Sequence, residues 1–222
     1  MKATQEVPES LRERLTQAIL DVIGVVPTTG EVVDDSPDAR AKAIARRAAA
    51  TAAGISGSTA LVPGPLGLLT LVPDLLGVWR VQAQMVADIA GTYGKSARLT
   101  EEQMVYCLFK HMLSQGLRDI VVRVGERYLV RRATLRLIQN LAKLIGVSMS
   151  QRLVGKAAAR WLPGLGAACV AGYAYYDTRM VAQTAVELFS ADITLGGTAD
   201  IEDVEVKPAR GPNPQLTAAE QH

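Results

Sequence analysis

The stretch AAATAAGISGSTALVPGPLGLLTLVP, residues 48–73, is the part of the sequence that decides the fold. Its twenty-six residues carry no formal charge and are numerous enough to cross a bilayer. The segment 63–67 contains two prolines and two glycines, which interrupt a continuous helix. A shorter uncharged stretch at 161–176 is broken in the same way by Pro163 and Gly164. The sequence therefore predicts two apolar helical arms, each broken by Pro and Gly.

The composition favours one main helical domain in a reducing compartment. The chain has 222 residues, 49% of them hydrophobic, which is enough for one sizeable core, and its Ala, Val, Leu and Gly suit close helix packing. A net charge of +2 and 5% aromatic residues argue against a nucleic-acid binder. Cys107 and Cys169 lie in apolar segments, so no disulfide framework is expected. Residues 1–13 lack the apolar core of a signal peptide, and we therefore expect a cytoplasmic protein.

Capping patterns and apolar periodicity predict a series of helices followed by a tail. The predicted helices before residue 146 cover 11 to about 24, 37 into the Ala-rich stretch 48–53, 75 to about 93, 101 to about 114, and 117–145. From Ala191 onward the periodicity stops and acids outnumber bases. We therefore predict an all-α fold, with a single helical bundle domain at residues 1–190 and a flexible acidic tail at residues 191–222.

The two broken arms resemble each other, which suggests a weak internal duplication. The segment Val62-Pro63-Gly64 is followed by a predicted helix with Arg80, Gln84 and Asp88 at intervals of four residues. The segment Leu162-Pro163-Gly164 is followed in the same way by a predicted helix with Arg179, Gln183 and Glu187 at the same intervals. One pairwise match between two Ala-rich helices can also arise by coincidence, so both interpretations stay open.

The apolar segments also carry a family resemblance. The stretches LVPGPLGLLTLVPDL (61–75) and QMVADIA (84–90) resemble the glycine- and proline-rich core of bacterial EcsC-type proteins. The stretches RWLPGLGA (160–167) and AYYDT (174–178) are similar to the second signature of that group. The resemblance covers about residues 40–190. It implies a cytoplasmic, mostly helical bacterial protein that is tied to membranes or membrane transport and has no established catalytic role.

Lipid or partner binding is the function that the candidate residues favour. The first breaker is either a lipid-contacting elbow or a tight turn between helices, and each Trp-Arg pair is either interfacial or part of a core. Arginines at the polar ridges and on the basic helix 117–145 can meet anionic lipid, but they can also pair within the chain or cover apolar surface. The candidate lipid-binding or partner-binding residues are Pro63, Gly64, Pro65, Leu66, Gly67, Leu68, Trp79, Arg80, Arg123, Arg127, Arg131, Trp161, Pro163, Gly164 and Arg179.

No constellation of residues predicts catalysis, a metal or another cofactor. Cys107 and His111 are one helical turn apart, but the sequence near them supplies no third ligand and no orienting group. The glycines near Gly64 and Gly164 lack the Lys and hydroxyl of a phosphate-binding loop. Asp74 is either an ionisable group facing an apolar cavity or a helix cap. The sequence therefore predicts a protein that is not an enzyme.

The predicted function is that of a non-enzymatic, membrane-associated or lipid-binding helical protein on the cytoplasmic side. Its partner would be an anionic lipid or a membrane surface. The alternative is a soluble adaptor or regulatory module whose apolar groove binds a partner helix. That helix would belong to a transporter subunit or to a second copy of the chain.

Overall fold

The computed structural model describes residues 9–60, 71–111, 121–124, 127–133, 139–140, 142–145 and 165–199. The helices are α1 (Glu9–Ile23), α2 (Pro37–Thr59), α3 (Leu71–Thr92), α4 (Glu101–Phe109) and α5 (Leu165–Ser190), with a 3-10 turn at Ser96–Arg98. Residues 139–140 and 142–145 are also helical. The strands are β1 (Val121–Val124), β2 (Arg127–Ala133) and β3 (Asp192–Ala199). The predicted helical bundle is confirmed, and a small sheet is added to it.

Helix α2 packs closely on α3 and α5 because the face that it buries is made of small side chains. The buried residues of α2 are Ala41, Ala45, Ala49, Ala52 and Ser56. A Cβ atom placed on Gly57 would lie 3.3 Å from the Cβ of Ala171 in α5, and one on Gly77 of α3 would lie 3.3 Å from Ile55. These approaches leave no room for larger side chains, so the three helices form a tight central layer.

The main core lies where α1 and α4 cover the other half of α3 and α5. Its largest fully buried side chains are Phe109, Phe189, Leu15, Ile19, Ile23, Met85, Ile89, Met104, Leu108 and Ile145. Trp79 of α3 meets Phe109 of α4 edge to face, with ring centroids 5.8 Å apart. An edge-to-face pair adds about 0.5–1.5 kcal/mol to the stabilisation that the buried area provides.

Local sequence features determine where α3 ends and where α4 begins. Gly94 adopts φ +68°, a left-handed conformation that glycine tolerates and that ends the turn after α3. Thr100 and Gln103 form the predicted capping box, in which the Thr100 side chain accepts from the Gln103 N–H and the Gln103 side chain accepts from the Thr100 N–H. Helix α4 therefore begins where the sequence predicts.

An extended segment at residues 25–34 links α1 to α2 and runs along α3. The Thr29 hydroxyl donates to Asp88 of α3 at 2.7 Å, and the backbone N–H of Asp34 donates to the carbonyl of Thr92. Glu31 pairs with Arg40 of α2 at 2.7 Å, and the hydrogen bond from Arg40 lowers the pKa of the Glu31 carboxyl. The segment, named here the strap, is therefore attached to both helices.

The sheet corrects two sequence predictions. Strand β1 pairs antiparallel with β2, opposing Val121 to Val130, and β2 pairs in parallel with β3, opposing Arg127 to Asp192. The predicted helix at 117–145 is therefore wrong over β1 and β2, although residues 139–140 and 142–145 are helical. The predicted tail is wrong over β3, because Asp192–Ala199 belongs to the sheet. Residues 200–222 lie outside the described residues.

The physical reason is the choice of side chains in this region. Valine, isoleucine and tyrosine favour strands, and Tyr128 and Val130 alternate at the period of a strand while both are buried. The residues of β3 lie more than 60 positions after their partners in β2, so no local pattern indicates the pairing. Arg123, Arg127 and Arg131 lie on β1 and β2, and their interpretation as one basic amphipathic helix is wrong.

Candidate functional site

One end of the bundle brings the two apolar arms together. The Ser56 hydroxyl donates to the carboxylate of Asp74 at 3.1 Å, which fixes the last turns of α2 beside the first turn of α3. Gly57 of α2 faces Ala171 near the start of α5. The end of α2 and the starts of α3 and α5 therefore lie side by side, and the described residues 48–60, 71–79 and 165–176 are named here the apolar end.

The surface of the apolar end carries no exposed charge among its described residues. The only charged side chain in it is Asp74, which is 5% exposed and hydrogen-bonded to Ser56. Three aromatic side chains of α5 face outward: Tyr173 is 41% exposed, Tyr175 41% and Tyr176 64%. The other exposed residues there are small or uncharged: Ala50, Thr51, Gly54, Ser58, Pro73, Ala168, Cys169 and Gly172. Tyrosine combines an apolar ring with a polar tip, which suits a boundary between water and an apolar phase.

Both Pro/Gly breakers are outside the described residues, but the helix ends that flank them are not. Among the predicted site residues, residues 63–68 and Trp161, Pro163 and Gly164 lie outside the described residues. Ala60 and Leu71 flank the first breaker, and Leu165 follows the second. All three flanking residues lie at the apolar end, so the structure brings together the two arms that the sequence singled out separately.

Trp79 is not available to a lipid or a partner. It is 3% exposed and packs on Phe109, so its interfacial interpretation is wrong and the core alternative is confirmed. Its neighbour Arg80 is exposed, and Arg179 of α5 is half-buried. Neither arginine forms an ion pair with another described residue.

The two polar ridges make different contacts, so the duplication stays a prediction. Gln84 donates to Asp88 at 2.8 Å and to the carbonyl of Thr28 at 3.0 Å, which ties this ridge to the strap. Glu187 instead pairs with Lys110 at 2.9 Å. The ridge of α3 therefore supports the strap, whereas the ridge of α5 supports the end of α4.

A polar network that the sequence did not reveal lies inside the bundle below the apolar end. His111 Nε2 is 2.7 Å from one carboxylate oxygen of Asp177, and Gln82 Nε2 donates to the other at 2.8 Å. Gln82 also donates to the hydroxyl of Thr178 at 3.1 Å. His111 Nδ1 is buried without a hydrogen-bond partner. The network joins α3, the residues after α4, and α5.

Neither the network nor Cys107 forms a recognisable catalytic or metal centre. Cys107 is fully buried, and desolvation raises the pKa of its thiol above the ordinary value, which makes it a poor nucleophile. His111 is oriented by Asp177, an arrangement that activates imidazole in many enzymes, but its other ring nitrogen, Nδ1, makes no hydrogen bond to a nucleophile among the described residues. No group of three or more His, Cys, Asp or Glu residues in the described part of the chain is placed to hold a metal ion.

Comparison of the chain with protein-family models, with curated proteins and with solved structures finds no match. Within residues 9–60, 71–111 and the other described ranges, every helix is too short or too polar to cross a membrane. The resemblance to EcsC-type proteins accordingly stays a prediction.

Proposed function

We propose that the protein associates with the surface of a lipid membrane through its apolar end, and that it acts there without catalysing a reaction. The observation that carries the proposal is an exposed end of the bundle that lacks exposed charge and presents Tyr173, Tyr175 and Tyr176. The resemblance of residues 40–190 to EcsC-type proteins agrees with a membrane-associated role on the cytoplasmic side. Anionic lipid would be the main partner.

The chemistry of the exposed tyrosines supports a surface that contacts lipid headgroups. Tyrosine is enriched at membrane–water interfaces because its ring contacts acyl chains while its hydroxyl reaches the headgroups. An isolated exposed tyrosine needs no explanation, but three within four residues of one helix form a patch. Cys169 and Gly172, on the preceding turn of α5, add uncharged surface to this patch.

We expect the double substitution Tyr173→Asp with Tyr176→Asp to weaken binding to vesicles about tenfold or more. Each ring withdrawn from the interface loses roughly 25 cal/mol per Å² of apolar area, and each new carboxylate is repelled by anionic lipid. A combined loss of about 1.4 kcal/mol corresponds to tenfold in affinity. The measurement is co-sedimentation with vesicles of mixed zwitterionic and anionic lipid at low salt. The melting temperature of the variant is measured beside that of the wild type, so that a loss of folding is distinguished from a loss of binding.

The control for this experiment is Val32→Asp on the strap. Val32 is 77% exposed and lies far from the apolar end, so the same kind of charge is added to a surface that should not meet lipid. We expect its binding to equal that of the wild type. Equal binding of all three proteins would contradict the assignment of the apolar end, and no binding of the wild type to any vesicle would contradict the membrane role.

A second candidate function is an adaptor that packs a partner helix on the same end, and one observation favours it. Ala50, Gly54 and Ser58 follow one another at intervals of four residues on the exposed face of α2. Small residues at this spacing allow another helix to approach closely. The partner would be a transporter subunit or a second copy of the chain.

The substitution Gly54→Leu should separate the two functions. A Cβ placed on Gly54 meets nothing within 4 Å, so the protein tolerates a larger side chain there. Leucine should maintain or strengthen vesicle binding, because it adds apolar surface, whereas it should abolish close packing of a partner helix. Vesicle co-sedimentation and sedimentation velocity of the free protein measure the two effects. Loss of vesicle binding in this variant would favour the adaptor.

A further inference from the structure

We infer that four arginines below the apolar end form a docking plane for anionic phosphate headgroups, so that the bundle meets the membrane end-on. The residues are Arg46 and Arg47 of α2, Arg80 of α3 and Arg179 of α5, and they are named here the arginine collar. The inference rests on the proposed membrane association and adds the residues that would bind the anionic headgroups and the orientation of docking.

The three helices carry these arginines at closely similar heights. Ser56 and Asp74 are hydrogen-bonded and Gly57 faces Ala171, so these residues mark one level of the bundle. Arg47 lies nine residues before Ser56, Arg80 six residues after Asp74, and Arg179 eight residues after Ala171. At 1.5 Å per residue, the backbone positions of these three arginines lie about 9–14 Å below that level, and that of Arg46, next to Arg47, lies about 15 Å below it.

The helix directions make these offsets point the same way. Helix α2 runs toward the apolar end, whereas α3 and α5 begin there. Gln82 of α3 donates to Thr178 of α5, which shows that these two helices stay in step below the apolar end. The collar therefore spans three helices at a similar depth instead of forming a stripe along one of them.

Charge is arranged as end-on docking requires. Above the collar, the charged side chains of the described residues are Asp74, which is buried, and Asp177, which is held by His111 and Gln82. Below the collar, acidic side chains are also present, and one of them, Glu31, pairs with Arg40 at 2.7 Å. None of the four collar cations forms an ion pair with a described residue, and only Arg47 is close enough to an acid, Glu31, to add to the hydrogen bond from Arg40 in lowering the pKa of its carboxyl, so the collar can attract lipid phosphates.

The orientation can be measured with the native cysteines. Cys169 is exposed at the apolar end and Cys107 is buried, so a thiol-reactive fluorophore should label Cys169 alone in the folded protein. A second label at Gln183→Cys in a Cys169→Ser background lies fourteen residues further along α5. This is about 21 Å along the helix on nearly the same face. A third label at Val32→Cys in the same background reports on the strap.

On vesicles with anionic lipid, end-on docking should shield the label at Cys169 from aqueous iodide and leave the labels at residues 183 and 32 quenched as in free protein. Equal shielding at residues 169 and 183 would mean that α5 lies flat on the membrane and would overturn the inference. Shielding at residue 32 without shielding at residue 169 would overturn it as well.

The lipid class is tested by neutralising collar residues singly and in pairs. Each of Arg47→Gln and Arg80→Gln should weaken binding to anionic vesicles about fivefold, and the pair on the order of twentyfold. Arg98→Gln removes the same charge from an exposed site after α3 and should leave binding unchanged. Binding of the wild type should fall as salt is raised and should be weaker on purely zwitterionic vesicles.

The outcomes separate this inference from the function on which it rests. Vesicle binding that weakens with the Tyr173 and Tyr176 substitutions but is insensitive to Arg47, Arg80 and anionic lipid would overturn the collar and keep the membrane role. Absence of vesicle binding by the wild type would overturn both. Loss of binding in the collar variants with no loss in Arg98→Gln supports the inference, provided that their melting temperatures match the wild type.

Discussion

Replacing Asp177 by alanine is expected to lower the free energy of unfolding by about 2–4 kcal/mol. Both oxygens of this carboxylate are used, one facing His111 Nε2 at 2.7 Å and the other accepting from Gln82 at 2.8 Å. Without the carboxylate, His111 would have no partner for either ring nitrogen, because its Nδ1 already lacks one. A buried polar group that is left unpaired retains its desolvation cost, and this cost dominates the expected loss.

Two further variants show whether the loss comes from the network. Asp177→Asn keeps an acceptor for Gln82 and can donate to a His111 ring nitrogen in the other tautomer, so we expect a loss of about 1 kcal/mol. Glu187→Ala removes another carboxylate of α5, whose pair with Lys110 is substantially exposed, and should cost less than about 1 kcal/mol. Urea unfolding followed by circular dichroism measures all three. A loss in Asp177→Ala no greater than in Glu187→Ala would contradict a stabilising role for the network.

The helical part of the fold could be predicted from sequence because its signals are local. The spacing of Thr100 and Gln103 alone indicates the start of α4, and the structure contains the capping box that this spacing predicts. The apolar periodicity of α3 likewise depends only on neighbouring turns. Local signals of this kind do not depend on what the helix later packs against, which is why they survive in the folded chain.

The sheet is not predicted by the apolar pattern because the same residues fit both a helical and a strand period. Apolar residues between 117 and 145 recur at helical spacing, yet VVRV and RYLV are also two strand-forming runs separated by Gly125 and Glu126. A two-residue connection that begins with glycine is a recognised hairpin pattern, and it was the available signal. The parallel pairing of β2 with β3 had no such signal, because it depends on residues that are far apart in sequence.

The candidate site was predictable in outline but not in its geometry. The sequence identifies two uncharged arms, whereas only the packing of Gly57 against Ala171 places them at one end. The exposure of Trp79 depends on whether another helix covers it, and Phe109 of α4 does so. His111 and Asp177 are 66 residues apart, and neither has a local partner that would point to the other.

The arginine collar is a second feature whose geometry could not be predicted from the sequence. The positions of Arg80 and Arg179 in similar ridges predict that the two arginines correspond, but Arg47 lies on a helix that runs the other way. Its backbone lies at a similar depth only because α2 is antiparallel to α3 and α5. A sequence pattern can suggest that two helices correspond, but it cannot show that a third brings a like charge to the same depth.

Replacing Gly91 by alanine is expected to lower the free energy of unfolding by about 1–3 kcal/mol, the range for an overpacked site. A Cβ at this position would lie 2.9 Å from the carbonyl oxygen of Glu31 and 3.0 Å from the Thr29 side chain. The nearest obstacle is backbone, which cannot rotate away, so the strap must shift and its hydrogen bond from Thr29 to Asp88 must lengthen. Urea unfolding gives the loss, and faster proteolysis within residues 25–34 reports the displaced strap.

Gly54→Ala is the matched control, because it makes the same chemical change in the exposed face of α2. A Cβ there meets nothing within 4 Å, so only the helix propensity changes, and we expect the protein to become about 0.5–1 kcal/mol more stable. The two variants should therefore shift stability in opposite directions. If Gly91→Ala were also stabilising, the strap would not be packed on α3 as closely as its contacts with Gly91 indicate, and its attachment to the bundle would have to rest on contacts away from Gly91, such as the pair of Arg40 with Glu31.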